Sequence, residues 1–338
     1  MNTIGNKLTF KTYKHSGVNE SEIEIKDLGK KDFNIDSAEN RLKDFDSDTY
    51  GISPDIVDMT KDLNNLYRSY GPGESILDIT LDDDNNQLMD IHDIVAEEGE
   101  EVSVLLNYES KGEADKLRSS LVRIHGKKDS KVKVFLISMD DKNTKILEST
   151  YAKLEENAQV KVYEYRLGGR EVIANTKADL LGDKSDLEIE SIYFAYDEDQ
   201  LDIQYDMDHY GKESLSDLKI NGAMKDRAFK KLSSTLDFKV GSSKSDGSEE
   251  ENVILLSDEA KSLSVPVLLS GEDDVAGNHA ASCGKLDEES IFYIMSRGLT
   301  RSEAESLVIN SRFIGPIDQL DDETHKEKIW NKVKEIMG

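Results

Sequence analysis

Apolar and polar residues alternate with a period of two through the middle of the chain. Short segments there place an apolar side chain at every second position, which is typical of β-strands that bury one face. These segments are 102–104, 131–137, 159–165, 187–189, 201–207, 218–220, 236–240 and 263–269. The pattern predicts a mainly β middle region.

Two architectures accommodate such a series of strands, a β-sandwich or barrel and a right-handed parallel β-helix. Few of the joints carry the Asn-Gly or Asp-Gly pair that marks tight hairpins. A stacked solenoid accounts for the lack of crossover helices, because each coil buries its apolar face against its neighbours. It would contain about eight coils of about 22–25 residues, within the range known for solenoids. No clear internal repeat is visible, so spacing leaves both architectures open.

The N-terminal part of the chain is mixed in pattern. Apolar residues recur at helical spacing from Ile56 to Leu66, directly after Pro54, which is a common start signal. The pattern predicts one helix that ends before Gly71. Residues 1–75 are interpreted as an N-terminal mixed segment.

The C-terminal part is predicted to contain three helices. The first ends at Gly298, and a capping box that starts at Thr300 opens the second. The second helix is expected to end near Gly315, and the third is amphipathic. Residues 286–338 are therefore assigned to a helical domain, and residues 76–285 to the β core.

The charge balance restricts the partners that the chain can bind. Acidic residues outnumber basic residues by 70 to 43, which gives a formal net charge of −27. Such a field repels phosphate backbones and anionic headgroups, so neither nucleic acid nor membrane is an expected partner. The sequence shows no signal peptide and no apolar run of membrane-spanning length, which favours a cytoplasmic protein.

Motifs for several catalytic chemistries are absent from the sequence. There is no Gly-x-x-x-x-Gly-Lys-Ser/Thr loop, so no bound nucleotide is expected and any ATP chemistry must come from a partner. There is no Gly-x-Ser-x-Gly nucleophile elbow. A β-helix enzyme acting on carbohydrates would use clustered carboxylates on one face. That alternative is disfavoured because such proteins are usually exported.

The stretch from Val265 to Phe313 resembles the C-terminal part of the SufB/SufD family. It contains a Pro-led strand, the acidic motif DDV, a His followed by small residues, Gly-x-Leu-Asp-Glu and FY-x-x-SRG. Weaker similarity extends over about residues 150–313. The resemblance implies a right-handed parallel β-helix flanked by helical segments.

The resemblance also implies a function. Members of this family are non-enzymatic scaffolds for a transient iron–sulfur cluster, and they work with a SufC-like ABC ATPase. They pair through the β-helix, so a homodimer or a heterodimer with a SufB-like subunit is expected. A purely structural SufD-like subunit without metal ligation is the alternative.

Four residues are candidate iron or cluster ligands by this resemblance. His279 matches a family histidine at the subunit interface, which implies a role as an iron ligand. The alternative is a structural histidine that closes the last coil. Glu251 stands where SufB-type chains place a sulfur-accepting cysteine, which makes the chain SufD-like, since a carboxylate cannot carry persulfide. Glu251 could still supply an oxygen ligand to iron. The favoured interpretation is a solvated carboxylate within the acidic run 249–251. Cys283, the only cysteine, is a cluster ligand or a small buried side chain. Asp274 belongs to an acidic run that attracts Fe²⁺ or forms a turn.

The helical domain is the expected docking site for the ATPase. Phe292, Tyr293, Met295 and Arg297 combine aromatic, Met and Arg side chains, which are enriched in interface cores. The alternative is that the same apolar stripe caps the open end of the solenoid.

Overall fold

The computed structural model describes residues 1–8, 20–25, 42–43, 45 and 48–338. The N-terminal part of this range contains two short antiparallel strands and one helix. These are β1 (Asn2–Gly5), β2 (Ser21–Glu24) and α1 (Pro54–Asp62). Three further helices lie at the C-terminal end, namely α2 (Glu288–Met295), α3 (Arg301–Asp318) and α4 (Glu323–Met337).

Sixteen further strands lie between α1 and α2 in the described part of the chain, and they form two parallel sheets. The odd sheet contains β3 (Leu66–Tyr70), β5 (Gln87–Ala96), β7 (Lys116–Gly126), β9 (Thr144–Leu154), β11 (Glu171–Leu180), β13 (Gln200–His209), β15 (Phe229–Phe238) and β17 (Lys261–Ser270). The even sheet contains β4 (Gly73–Leu81), β6 (Glu101–Ser110), β8 (Lys131–Met139), β10 (Gln159–Arg166), β12 (Asp186–Ala195), β14 (Leu215–Met224), β16 (Asp246–Leu255) and β18 (Ala276–Lys285).

The strand order defines a parallel β-solenoid, which confirms the predicted parallel β-helix. Each strand pairs with the strand two positions away in sequence, so the chain alternates between the two sheets. Partners are 27 residues apart for Gln159 and Asp186, and 32 apart for Phe229 and Lys261. The predicted coil of about 22–25 residues is therefore too short, because the series from which it was derived mixes strands of the two sheets and counts each strand as one coil.

The space between the two sheets is the main hydrophobic core. Inward-facing Leu, Ile, Val and Ala side chains from both sheets fill it along the whole solenoid, as Ile94, Val134 and Leu180 illustrate. Each coil buries these side chains against the coils before and after it. In strands with a polar outer face, such as β8, the register is thus specified by which face is apolar.

The helix α1 packs on the outer face of the odd sheet. Val57 joins Tyr67, Leu121 and Tyr151 in a second buried cluster there. Leu66, which the sequence pattern placed in the same helix, instead begins β3, because α1 ends at Asp62. The first solenoid strand consequently lies inside residues 1–75.

The helices α3 and α4 pack on the outer face of the even sheet. Phe313 and Ile317 of α3 and Val333 of α4 contact apolar side chains such as Phe194 in a third cluster. The predicted capping box at Thr300 is present.

The second C-terminal helix, α3, ends at Asp318, two residues beyond the expected end near Gly315-Pro316. Pro316 is buried inside this helix, and its carbonyl accepts a hydrogen bond of 2.6 Å from the hydroxyl of Tyr165. Packing against the even sheet thus outweighs the helix-breaking tendency of proline. No helix among the described residues is both long enough and apolar enough to cross a membrane.

Candidate functional site

The solenoid ends at two strands whose outer edges carry no partner strand within the described residues. The strand β17 is the last strand of the odd sheet, and β18 is the last strand of the even sheet. The two strands leave a row of backbone N–H and C=O groups available for hydrogen bonding. We call this feature the open end. Nearly every residue of β18 is exposed there.

The predicted ligands His279 and Cys283 both lie on β18, on the face that continues the solenoid interior. In β16 the side chains of Glu249, Glu251 and Val253 are buried in the interior. The register pairs His279 with Glu249 and Cys283 with Val253. Side chains that are paired in a parallel ladder share a face, so both groups border the interior at the open end.

Cys283 is exposed, and this contradicts its interpretation as a small buried side chain. No described strand lies above the last coil, so its inward face stays accessible. His279 is exposed for the same reason. Neither residue closes the coil by packing.

Glu251 is buried, with 2% of its surface exposed, so its interpretation as a solvated carboxylate is wrong. The period of two in β16 directs Glu250 outward and turns Glu249 and Glu251 inward. Glu251 forms a buried ion pair with Lys230 and accepts hydrogen bonds from Ser264 and Tyr193. The carboxylate therefore lies inside the solenoid, one strand below β18.

Lys230 and Tyr193 complete this buried cluster, and the sequence pattern did not single them out. Burial lowers the pKa of Lys230 even though Glu251 lies beside it, and burial raises the pKa of Tyr193 well above its usual value. The inward position of Lys230 could have been recognised from the alternation along β15, because Lys230 lies on the same face as Leu232 and Leu236. An inward lysine needs a buried carboxylate partner.

A second group of charged side chains lies deeper in the interior. Arg166 contacts Glu148 and Glu164, each at 2.6 Å, and Arg118 contacts Glu148 at 3.2 Å. Burial alone would lower the pKa of Arg166, but the carboxylates of Glu164 and Glu148 raise it. The hydroxyl of Tyr205 donates a hydrogen bond to Glu164. The interior is thus apolar with a paired ionic centre.

The four candidate ligands are not gathered into one metal site. Asp274 lies in the exposed turn between β17 and β18, and its backbone carbonyl accepts a hydrogen bond from the Lys244 N–H. Glu251 is engaged by Lys230. Among the described residues, no group of three or more His, Cys, Asp or Glu side chains is arranged to hold a metal ion. Of these four residues, His279 and Cys283 are the two that lie on the same strand and are both exposed to solvent.

The helix α2 follows the open end and presents apolar side chains to solvent. Ile291 is its only buried residue, whereas Phe292 is 73% exposed and Tyr293 is 59% exposed. Arg297 stacks over the Tyr293 ring and donates a hydrogen bond of 2.8 Å to its hydroxyl. Because β18 remains exposed, α2 does not cap the solenoid.

Comparison with known proteins identifies the family of a solenoid with these features. The family described as "SUF system FeS cluster assembly, SufBD core domain" matches residues 79–312, more than two thirds of the chain. The chain therefore belongs to the SufBD family. This confirms the resemblance seen in the C-terminal sequence.

Individual relatives are similar over part of their length. The iron–sulfur cluster assembly protein SufD of Bacillus subtilis is 33% identical over 147 residues, 44% of this chain and 33% of that protein. SufD of Escherichia coli is 26% identical over 180 residues, 53% of this chain and 43% of that protein. A SufBD family protein of Mycobacterium tuberculosis is 27% identical over 179 residues, 51% of this chain and 45% of that protein. The matched region thus spans less than half of each relative.

Proposed function

We propose that this chain is a non-enzymatic scaffold subunit for the assembly of iron–sulfur clusters. It pairs with a second SufB/SufD-type subunit through the open end, and it docks a SufC-like ABC ATPase on α2. The nascent cluster is the cargo of the pair, and ATP chemistry belongs to the partner. Family membership supports the general role.

The observation that carries the proposal is the combination of an unpaired edge and accessible ligand atoms at the open end. His279 and Cys283 border this edge on the inward face of β18. An imidazole nitrogen and a thiolate sulfur are both ligands that iron accepts. The described residues of one subunit gather no group of three or more such ligands, so a second subunit completes the set across the interface.

Replacing His279 by Ala is expected to abolish retention of the cluster by the paired subunits. The substitution removes one imidazole from an exposed position, so the fold is unaffected. The measurement is the visible absorption of protein reconstituted anaerobically with ferrous iron and sulfide. His125→Ala is the matched control, because His125 is a partly exposed histidine that pairs with Glu155 away from the open end.

The outcome of this reconstitution separates two roles. Loss of the absorption band in His279→Ala, with the band intact in His125→Ala, supports ligation by His279. An unchanged band in both variants contradicts ligation and favours the alternative of a purely structural subunit.

Replacing Phe292 by Ser is expected to weaken binding of a SufC-like ATPase at least about tenfold, the size of effect typical of a central aromatic anchor. Phe292 is the most exposed aromatic side chain of α2, and burial of its ring at an interface would be lost. The measurement is the dissociation constant from calorimetry with the purified ATPase.

The matched control is Val240→Ser, which removes an 85% exposed apolar side chain from a corner of the solenoid. Equal binding by wild type and both variants would show that α2 is not the docking surface. Absence of binding by the wild type at micromolar concentrations would contradict the scaffold mechanism itself.

A further inference from the structure

His325 links the helical domain to the first coil of the solenoid. It lies in the first turn of α4, which begins after the N-cap residue Asp322, and only 5% of its surface is exposed. Its partner on the solenoid is Asp78 of β4, 247 residues earlier in the sequence. The contact therefore ties the end of the chain to the start of the even sheet.

Both ring nitrogens of His325 face carboxylates. The Nδ1 atom lies 2.7 Å from Oδ1 of Asp322, and the Nε2 atom lies 3.0 Å from Oδ1 of Asp78. The pKa of Asp78 is lowered, because the hydrogen bonds from His325 and Asn107 outweigh the effect of burial. The pKa of Asp322 is lowered, mainly by the backbone N–H of His325. Both carboxylates are thus ionised near neutral pH and act only as acceptors.

A neutral imidazole has one N–H donor and one acceptor nitrogen. Asp322 and Asp78 can each accept a hydrogen bond from the ring only if both ring nitrogens carry an N–H. Of the two protonation forms, only the imidazolium has an N–H donor at each ring nitrogen. If His325 were neutral, one nitrogen lone pair would face a carboxylate oxygen at hydrogen-bond distance, which is repulsive.

The remaining charges around His325 favour the same form. Lys328 of α4 lies 2.7 Å from Glu109 of β6 and 3.7 Å from Asp78. The amide of Asn107 donates hydrogen bonds of 2.6 Å to Asp78 and 2.9 Å to Glu109. Two carboxylates, Asp78 of β4 and Glu109 of β6, thus face one lysine of α4, and Asp322 adds a third carboxylate beside His325. A positive charge on His325 reduces the excess of negative charge at this junction.

We propose that His325 is a proton-controlled clasp that fastens the first turn of α4 to the solenoid. The clasp is closed while His325 is an imidazolium and opens as rising pH removes its proton. The apolar contacts of Ile329, Val333 and Ile336 hold the rest of the helix in place. Opening therefore frees the N-terminal turn of α4 and the connection to α3, while the solenoid stays folded. This device does not depend on the proposed role in cluster assembly.

The protonation state is tested directly by nuclear magnetic resonance. Full-length protein labelled with ¹⁵N in its histidines is recorded from pH 6 to pH 9, and His325→Gln assigns the signal. At pH 6 both ring nitrogens are expected to show the shifts of protonated nitrogens. A single protonated ring nitrogen at pH 6 would overturn the proposal.

The opening of the clasp is tested by hydrogen exchange of residues 322–328. Protection factors, corrected for the intrinsic effect of pH, are expected to fall at least tenfold as His325 loses its proton. His325→Gln should give low protection that does not vary with pH. His125→Gln, at a histidine with a single carboxylate partner, should behave as the wild type does. Protection that is independent of pH in the wild type, or unchanged pH dependence in His325→Gln, would contradict the clasp.

Discussion

Replacing Arg166 by Leu is expected to destabilise the protein by about 3–5 kcal/mol, the usual cost of removing one partner from a buried ion pair. Arg166 is 4% exposed and neutralises both Glu148 and Glu164 in the solenoid interior. Without it, Glu164 keeps only hydrogen bonds from uncharged groups such as Thr176 and Tyr205. The measurement is the free energy of unfolding from urea titration.

A surface arginine provides the matched control for this substitution. Arg227 forms an ion pair with Glu198, but its side chain is 65% exposed. Arg227→Leu is expected to cost less than about 1 kcal/mol, because solvent screens exposed pairs. Equal losses in the two variants would show that the interior ionic centre does not stabilise the solenoid beyond a surface contact.

Replacing Ala281 by Pro is expected to weaken pairing of subunits at least about a hundredfold, which corresponds to roughly 3 kcal/mol. The Ala276 N–H donates to the Ser245 carbonyl of the preceding turn. Because the N–H groups of a strand alternate in direction, that of Ala281 points to the free edge. Proline there removes an edge donor and places a ring at the interface, but leaves the ladder with β16 intact.

The pairing prediction is measured by analytical ultracentrifugation, with a second copy or a SufB-like subunit as the partner. Ala281→Ser is the matched control, because it changes the same side chain and keeps the N–H. If Ala281→Pro still pairs with wild-type affinity, the edge of β18 is not the interface, and the proposed site at His279 loses its second subunit.

The alternation of apolar and polar residues predicts the strands that bury one face, but it does not predict the strands that bury both faces. In β8 the inner positions are apolar and Lys131 and Lys133 point outward, so the alternation is visible. In β7 nearly every residue is buried, including Arg118 and Arg123. Its outer face packs beneath the N-terminal elements, so the period of two disappears. Such strands cannot be recognised from alternation alone.

The same physics accounts for the error at Glu251. A run of three glutamates suggests a solvated loop, but a strand sends the middle residue to one face and its neighbours to the other. The buried position of Glu251 depends on Lys230, which lies on another sheet, and a partner of that kind is set by the fold. The helix starts were easier to predict, because the capping box at Thr300 uses residues three positions apart.

The corners of the solenoid also hide its repeat. Successive corners place a residue with positive φ at Asp129, Asn157, Lys184, Glu213 and Lys244. The preceding corner has Gly99, and a positive φ usually selects glycine or asparagine, but the later corners use Asp, Lys and Glu as well as Asn. The corner geometry repeats while the residue type does not. A search for a recurring sequence motif therefore finds none.

The two ends of the solenoid differ in a way that limits how copies can associate. The first coil presents β3 with five residues and β4 with nine, whereas the last coil presents two strands of ten residues each. A rod with equally long adhesive edges at both ends would join head to tail and grow into filaments. In this rod the odd sheet begins with the short strand β3, so its first edge is a poorer match for the last edge, and we expect pairing at the open end to be favoured over head-to-tail growth.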